Sequence, residues 1–284
     1  MRQAYKVMAV LLFMTPLWCG AEPKGIFVAG GQFVMGTASE DIPELVTRYQ
    51  VTWRGAFVNE AEAHKVTLSD FHFDPHEVTY EKFAEFLVAN PQWQKQNIDE
   101  SSHNGDYLKD WTKASYPEDK TKHPVVFITW ASAQSYCRWR GGQLPTEAQW
   151  EYVARSGDDR EFPWGEKLPF PEIANYHASG HRGSLPVGSY LANQFGIYDL
   201  AGNVWEFLLD EWVESYPAEE QTDPIVGGPI SDENISSITG RRAVRGASYG
   251  GSVVNLRTRW RDSHRVDNPT MFVGFRCAYD LETG

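Results

Sequence analysis

The chain has 284 residues, 14% of them aromatic, with 24 glycines, 16 prolines and a formal net charge of −12. That length is ample to bury a core, and the composition excludes disordered and fibrous classes. The acidic balance excludes nucleic acid and anionic lipid as partners held by bulk charge.

Residues 1–21 read as a cleavable signal peptide. Arg2 and Lys6 form a basic start, residues 7–18 an apolar run too short for a stable membrane span, and Cys19-Gly20-Ala21 a small-residue cut site. Trp18 is too bulky for a lipoprotein signal that would acylate Cys19. Cleavage removes two cations, takes the net charge from −12 to −14, and leaves an exported, periplasmic domain over 22–284 with no membrane insertion. FVAGGQFVMG (27–36) alternates around Gly30-Gly31 and predicts a hairpin, and HKVTLSDFHFDPHEVT (64–79) predicts a strand turning at Asp74-Pro75. A helix is expected over 79–89 from the apolar face Phe83, Phe86 and Leu87, stopped by Asn90-Pro91, with a long loop over 91–122. HPVVFITW (123–130) predicts an apolar strand and 131–140 a helix ended by Gly141-Gly142. PTEAQWEYVARSG (145–157) is the clearest helix, with Thr146 as N-cap, Gln149 at the capping-box spacing, and Trp150, Val153 and Ala154 on one face. An acidic loop over 217–240 is followed by strands in 242–251 and 270–280. Early helices with short strands throughout define an α+β class, without internal repeats.

No phosphate loop, GxSxG elbow, HExxH or dinucleotide fingerprint is present. Two cysteines follow the signal segment, Cys137 and Cys277. In an exported chain an even pair suggests a disulfide, the alternative being two buried thiols. A bridge would close a loop of ~140 residues, which the chain-entropy model values at about 5 kcal/mol. In GIYDLAGNVWEF (196–207), Asp199, Gly202, Val204 and Glu206 combine two hard anionic oxygens with glycine-bent carbonyls, as calcium loops do; an N-capping Asp199 with a solvated Glu206 fits the spacing too. In RGASYGGSVVNLRTRWRDSH (245–264), Arg257, Arg259 and Arg261 alternate and would share one strand face, with Trp260, Asp262 and His264 on the other. Such arginines can clamp an anion, and Asp262 or His264 can act as general base; a solvated, salt-bridged strand fits the same pattern.

GGQFVMG, YCRWRGGQLPTEAQWEYVARSG, FPWGE, GIYDLAGNVWEF, RAVRGASYGG and VGFRCA occur in that order, and together they resemble the formylglycine-generating enzyme (sulfatase-modifying factor) family from about Gly25 to the C-terminus. The resemblance implies one compact domain, a variant of the C-type-lectin fold with little regular secondary structure. It implies a Cys137–Cys277 disulfide and a structural Ca²⁺ on the Asp199 and Glu206 side chains and the Gly202 and Val204 carbonyls. A second family calcium site would begin at Asn175 and Tyr176, but the acidic residue that should follow is missing. The family's two copper-binding cysteines should lie just after the RGASY strand, where GGSVVNLRTRW has none, so thiolate-bound Cu(I) and formylglycine synthesis are not expected. What remains is a cysteine-free, exported branch of the family. That branch implies periplasmic oxidation of the dihydropyoverdine chromophore of a peptide siderophore precursor, alongside other maturation enzymes. No organic cofactor is implied, and molecular oxygen is the expected electron acceptor. On this reading Asp262 is the base, with His264 as alternative. Arg257 and Arg259 steady the catecholate, Trp205 and Trp260 wall the ring, and Ser248 and Tyr249 lie on the pocket strand. The rival class is a non-catalytic, lectin-like binding or chaperone module.

Overall fold

A computed structural model describes residues 25–52 and 55–281; the segment 1–21, read above as a signal peptide, lies outside the described residues. In chain order the elements are β1 (Ile26–Val28), β2 (Gly31–Met35), α1 (Ile42–Arg48), β3 (His64–Leu68), β4 (Phe71–Phe73), α2 (Tyr80–Ala89), α3 (Trp130–Trp139), α4 (Glu147–Ala154), β5 (Trp205–Glu211), β6 (Gln221–Thr222), β7 (Arg241–Arg245), β8 (Asp262–Arg265), β9 (Val273–Gly274) and β10 (Ala278–Asp280). Three small sheets carry them, in the orders β1-β4-β10, β2-β3-β6 and β8-β7-β5-β9. Long loops and single 3₁₀ turns make up the rest, giving the α+β domain expected from the sequence.

Helices α2, α3 and α4 follow the sequence, whereas α1 is not among the expected elements. Thr79 caps α2 and Thr129 caps α3, each side chain accepting from a backbone N–H of the first turn. Thr146 and Gln149 close the capping box of α4. Every residue of α4 is buried. One face puts Trp150, Val153 and Ala154 into an apolar cluster, while Glu147 and Glu151, one turn apart on another face, carry two carboxylates into the interior.

Three of the predicted strand features fail for identifiable reasons. The 27–36 segment is not a hairpin, because β1 pairs with β4 and β2 with β3, in different sheets. Gly30-Gly31 is the crossing point; a Cβ on Gly30 would stand 2.1 Å from the Leu68 carbonyl oxygen, so only glycine lets the two backbones pass. The 123–130 segment is not a strand either. Val125, Val126, Phe127 and Ile128 are buried, but their backbone is held by loops, Val125 N–H donating to Val78 O and Phe127 N–H to Thr270 O. The alternating arginines do not share a strand face. Ser252 and Asn255 wind 253–256 into a capped 3₁₀ turn, and β8 begins only at Asp262.

Cys137 on α3 and Cys277, just before β10, form the disulfide expected from the family resemblance, with Cα atoms 5.5 Å apart. Both lie in the large apolar cluster with Phe83, Trp130, Tyr136 and Phe275. Replacing both cysteines with alanine should lower the unfolding free energy by about 2–5 kcal/mol in urea titration, the usual cost of deleting a native disulfide. No loss would mean that the bridge closes no stabilising loop.

Candidate functional site

The loop 199–205 is shaped by backbone rather than by regular structure. Asp199 and Asn203 adopt left-handed φ values of 58° and 61°, and Gly202 has φ 95°. A Cβ on Gly202 would stand 2.2 Å from the Asn175 carbonyl oxygen, so the loop requires glycine at this close approach. Asn203, which spacing did not single out, is the hub. Its Nδ2 donates to Glu77 Oε2 (2.9 Å), its Oδ1 accepts from Leu185 N–H (2.8 Å) and from Asn175 Nδ2 (3.2 Å), and its carbonyl accepts from Tyr249 N–H (2.9 Å).

The expected calcium ligands divide. Glu206 is fully buried and receives both Arg276 Nη2 and Nε, at 2.7 Å each, and Trp150 Nε1 at 3.0 Å. It is the counter-ion of a buried arginine, a poor choice for a second full charge. Asp199 is different. Its Oδ2 accepts only from Gly188 N–H (2.6 Å), and burial pushes its pKa up to about 6. Nearby Glu77 is wholly buried, its Oε1 has no hydrogen-bond partner, and burial with the Asp199 and Glu206 charges drives it well above the usual carboxylate range. Three buried carboxylates around one arginine leave this pocket short of positive charge. A hard divalent cation beside Asp199 fits that deficit, with Glu77 rather than Glu206 as the second carboxylate.

Beyond Asn203 the chain presents aromatic surface. Tyr249 and Phe272 pack with ring centroids 5.2 Å apart, and Phe272 and Met271 are exposed. Half-buried Trp205 is tied to them through the main chain, its backbone N–H donating to Phe272 O. Ser248 is buried behind the shelf, its Oγ accepting from Gly250 N–H. Trp260 does not join them: it packs edge-on against Phe57, 5.7 Å between centroids, in a cluster with Leu45 beside α1.

The arginines are not a free clamp. Arg257 is buried, gives Nη1 to both Glu60 oxygens (2.7 and 2.9 Å) and Nε to Glu161. Arg261 donates to both oxygens of Glu147, which also accepts from Arg245 Nε (2.9 Å). Burial alone would raise the Glu147 pKa, but the two guanidiniums hold it at about 2. Arg259 and, behind it, the doubly paired Arg257 line a cavity of about 680 Å³ between β2, α1 and residues 155–161. Asp262 is exposed on the edge strand β8, and neither it nor His264 lines that cavity. His264 is half-buried against Phe207. Its Nε2 donates to Asn268 O (2.6 Å), and burial holds its pKa below the usual imidazole range. The β5–β7–β8 register puts Phe207, Val244 and Asp262 in one row, with His264 opposite Arg242 two residues along. By the two-residue period, Trp205, Asp262 and His264 therefore belong to one sheet face, at its opposite ends.

A family profile described as "Sulfatase-modifying factor enzyme 1-like domain" matches residues 18–281. The formylglycine-generating enzyme of Streptomyces coelicolor is 31% identical over 298 residues, covering 89% of this chain and 88% of that protein. The formylglycine-generating enzyme of Mus musculus is 29% identical over 303 residues, covering 90% and 75%. The structure of PvdO from Pseudomonas aeruginosa superposes with a TM-score of 0.66 at 24% identity, covering 90% of this chain and 93% of that one, which shows the fold.

Glu206→Ala should cost about 3–5 kcal/mol in chemical denaturation, because it strands the buried Arg276 charge. Glu206→Ala with Arg276→Met should recover much of that loss. The depressed Glu147 pKa gives a second expectation. Its contribution is fully present above the unfolded value of 4.5 and is lost as pH falls from there through about 2, so unfolding free energy should decline over that window. Glu147→Gln should flatten that decline.

Proposed function

Because the chain belongs to the sulfatase-modifying factor enzyme 1-like domain family, and both cysteines of its described part are joined in a disulfide, we propose that it is an oxidase that works without cysteine-bound copper. Its substrate is the dihydropyoverdine chromophore of a periplasmic peptide siderophore precursor, as the family resemblance implies. The reaction removes two hydrogens from the reduced ring. Two electrons and two protons pass to molecular oxygen, giving hydrogen peroxide and the aromatised chromophore. The fold shared with PvdO supports this reading.

The observation that carries it is the partly exposed aromatic pair of Tyr249 and Phe272, to which Trp205 is tied through its backbone, a surface suited to a planar catechol-bearing ring. Of the two acid–base candidates, His264 has the better support. It is neutral at physiological pH, and donation from Nε2 leaves Nδ1 as the acceptor. Exposed Asp262 accepts from the Ser263 N–H. A catechol oxidises readily, so the usual ~10²–10⁴-fold of general base catalysis is a sufficient contribution. A calcium ion at Asp199, with the Gly202 and Val204 carbonyls and Glu77, would fix the loop that leads into Trp205.

Purified protein in air should accelerate the appearance of the mature chromophore's absorbance from dihydropyoverdine. No acceleration over buffer would sink the oxidase and leave a binding module. His264→Gln should slow the reaction by about 100-fold. In the wild type the rate should rise with pH through the His264 pKa and stay flat above about 6.5, where the imidazole is neutral. For the metal, chelator should lower the Tm of the wild type and leave Asp199→Ala unmoved, since a ligand held only by the native state stabilises it.

A further inference from the structure

The 680 Å³ cavity carries an arrangement that the oxidation proposed above does not use. Its inner wall holds the side chains of Arg155 and Arg259, 3% and 13% exposed. Both reach one oxygen, Asp159 Oδ1, through Nη2. Asp159 itself is 84% exposed. Their remaining contacts lie elsewhere. Arg155 gives Nη1 to Glu151 (3.1 Å) and to the Val34 carbonyl, and Nε to the Asp158 carbonyl. Arg259 gives Nε to the Gly36 carbonyl (3.1 Å), with Glu161 at 3.8 Å from Nη1. Each guanidinium therefore offers its Nη2 to Asp159 alone.

The energetics of the two sides differ. An exposed carboxylate in an ion pair contributes at most about 1 kcal/mol, because water solvates it almost as well when it swings away. The two guanidiniums lose more, since each is nearly buried and its Nη2 has no other acceptor among the described residues. The site thus requires a carboxylate and does not require that it be this one. The planar fork of arginine favours a carboxylate over a spherical anion, and the cavity volume suits a small organic molecule.

We propose that this cavity is a binding site for a small organic carboxylate, that Asp159 occupies the carboxylate position in the free protein, and that the ligand enters by displacing it from Arg155 and Arg259. Arg257 takes no direct part, being held by Glu60 and Glu161. Asp41, Glu44 and Asp158 also line the cavity, so a ligand that carries amine or hydroxyl donors beside its carboxylate suits both walls.

The test is calorimetric titration of the full folded domain with glutarate, and with inorganic phosphate as comparison, at low ionic strength. Asp159→Asn keeps the shape and removes the competing charge; it should bind glutarate about tenfold more tightly than the wild type. Adding Arg259→Gln to Asp159→Asn should abolish that gain, with an unchanged circular dichroism spectrum to show that the fold is kept. Overturning results are an affinity for glutarate unaffected by Asp159→Asn, a gain that survives Arg259→Gln, or phosphate tightening as much as glutarate. Chromophore oxidation by the same variants is scored separately, so its loss or persistence bears on the oxidase and not on this site.

Discussion

Buried arginine–carboxylate pairs take the place that regular secondary structure holds in most domains of this size. Arg245, Arg257, Arg261 and Arg276 are among the largest fully buried side chains, beside Trp130 and Trp150. Each reaches a carboxylate far away in sequence. Arg245 and Arg261 meet Glu147 on α4, Arg257 meets Glu60 and Glu161, and Arg276 meets Glu206 at the start of β5. A loop held by one such pair has little freedom, because either partner alone would be a charge stranded in a low-dielectric interior. Those pairs let three small sheets and several long loops keep one arrangement.

That constraint also locates function. Buried charges that are paired twice or more, such as Glu147 and Arg257, are structural. The chemically available groups lie where pairing is incomplete, and two such places among the described residues bear on function. One is the loop after Tyr198, where Glu77 and Asp199 lack a counter-charge and Asn203 ties them to the aromatic shelf. The other is the cavity where one Nη2 of Arg155 and one of Arg259 share a single exposed carboxylate. The first depends on loops that the buried pairs hold still; the second is framed by β2, α1 and the C-terminal end of α4.

The sequence made the helices legible because caps and the 3.6-residue pattern are local: Thr79, Thr129 and Thr146 each signal within one turn. Family membership was legible for another reason, the order of several specific motifs along the whole chain. The apolar run at 123–130 misled because an unbroken hydrophobic stretch fits a buried strand and a buried loop equally. The arginine segment misled because alternation speaks only of a strand's own geometry, whereas Glu60, Glu147 and Glu161 pull successive arginines in different directions. Glu77 carried no signal at all. Its importance arises from Asn203, which lies 126 positions away.

The sheet β1-β4-β10 joins the earliest described strand and the last one to the same central partner. Its consequence concerns time. A growing chain can form α2, α3 and α4 as soon as each emerges, but β4 stays half-paired, and Cys137 has no partner, until the final few residues arrive. Folding of this domain is therefore governed by non-local closure, in the slow regime of high contact order. Until that closure the sheets stand open and Arg276 and Glu206 have not yet met.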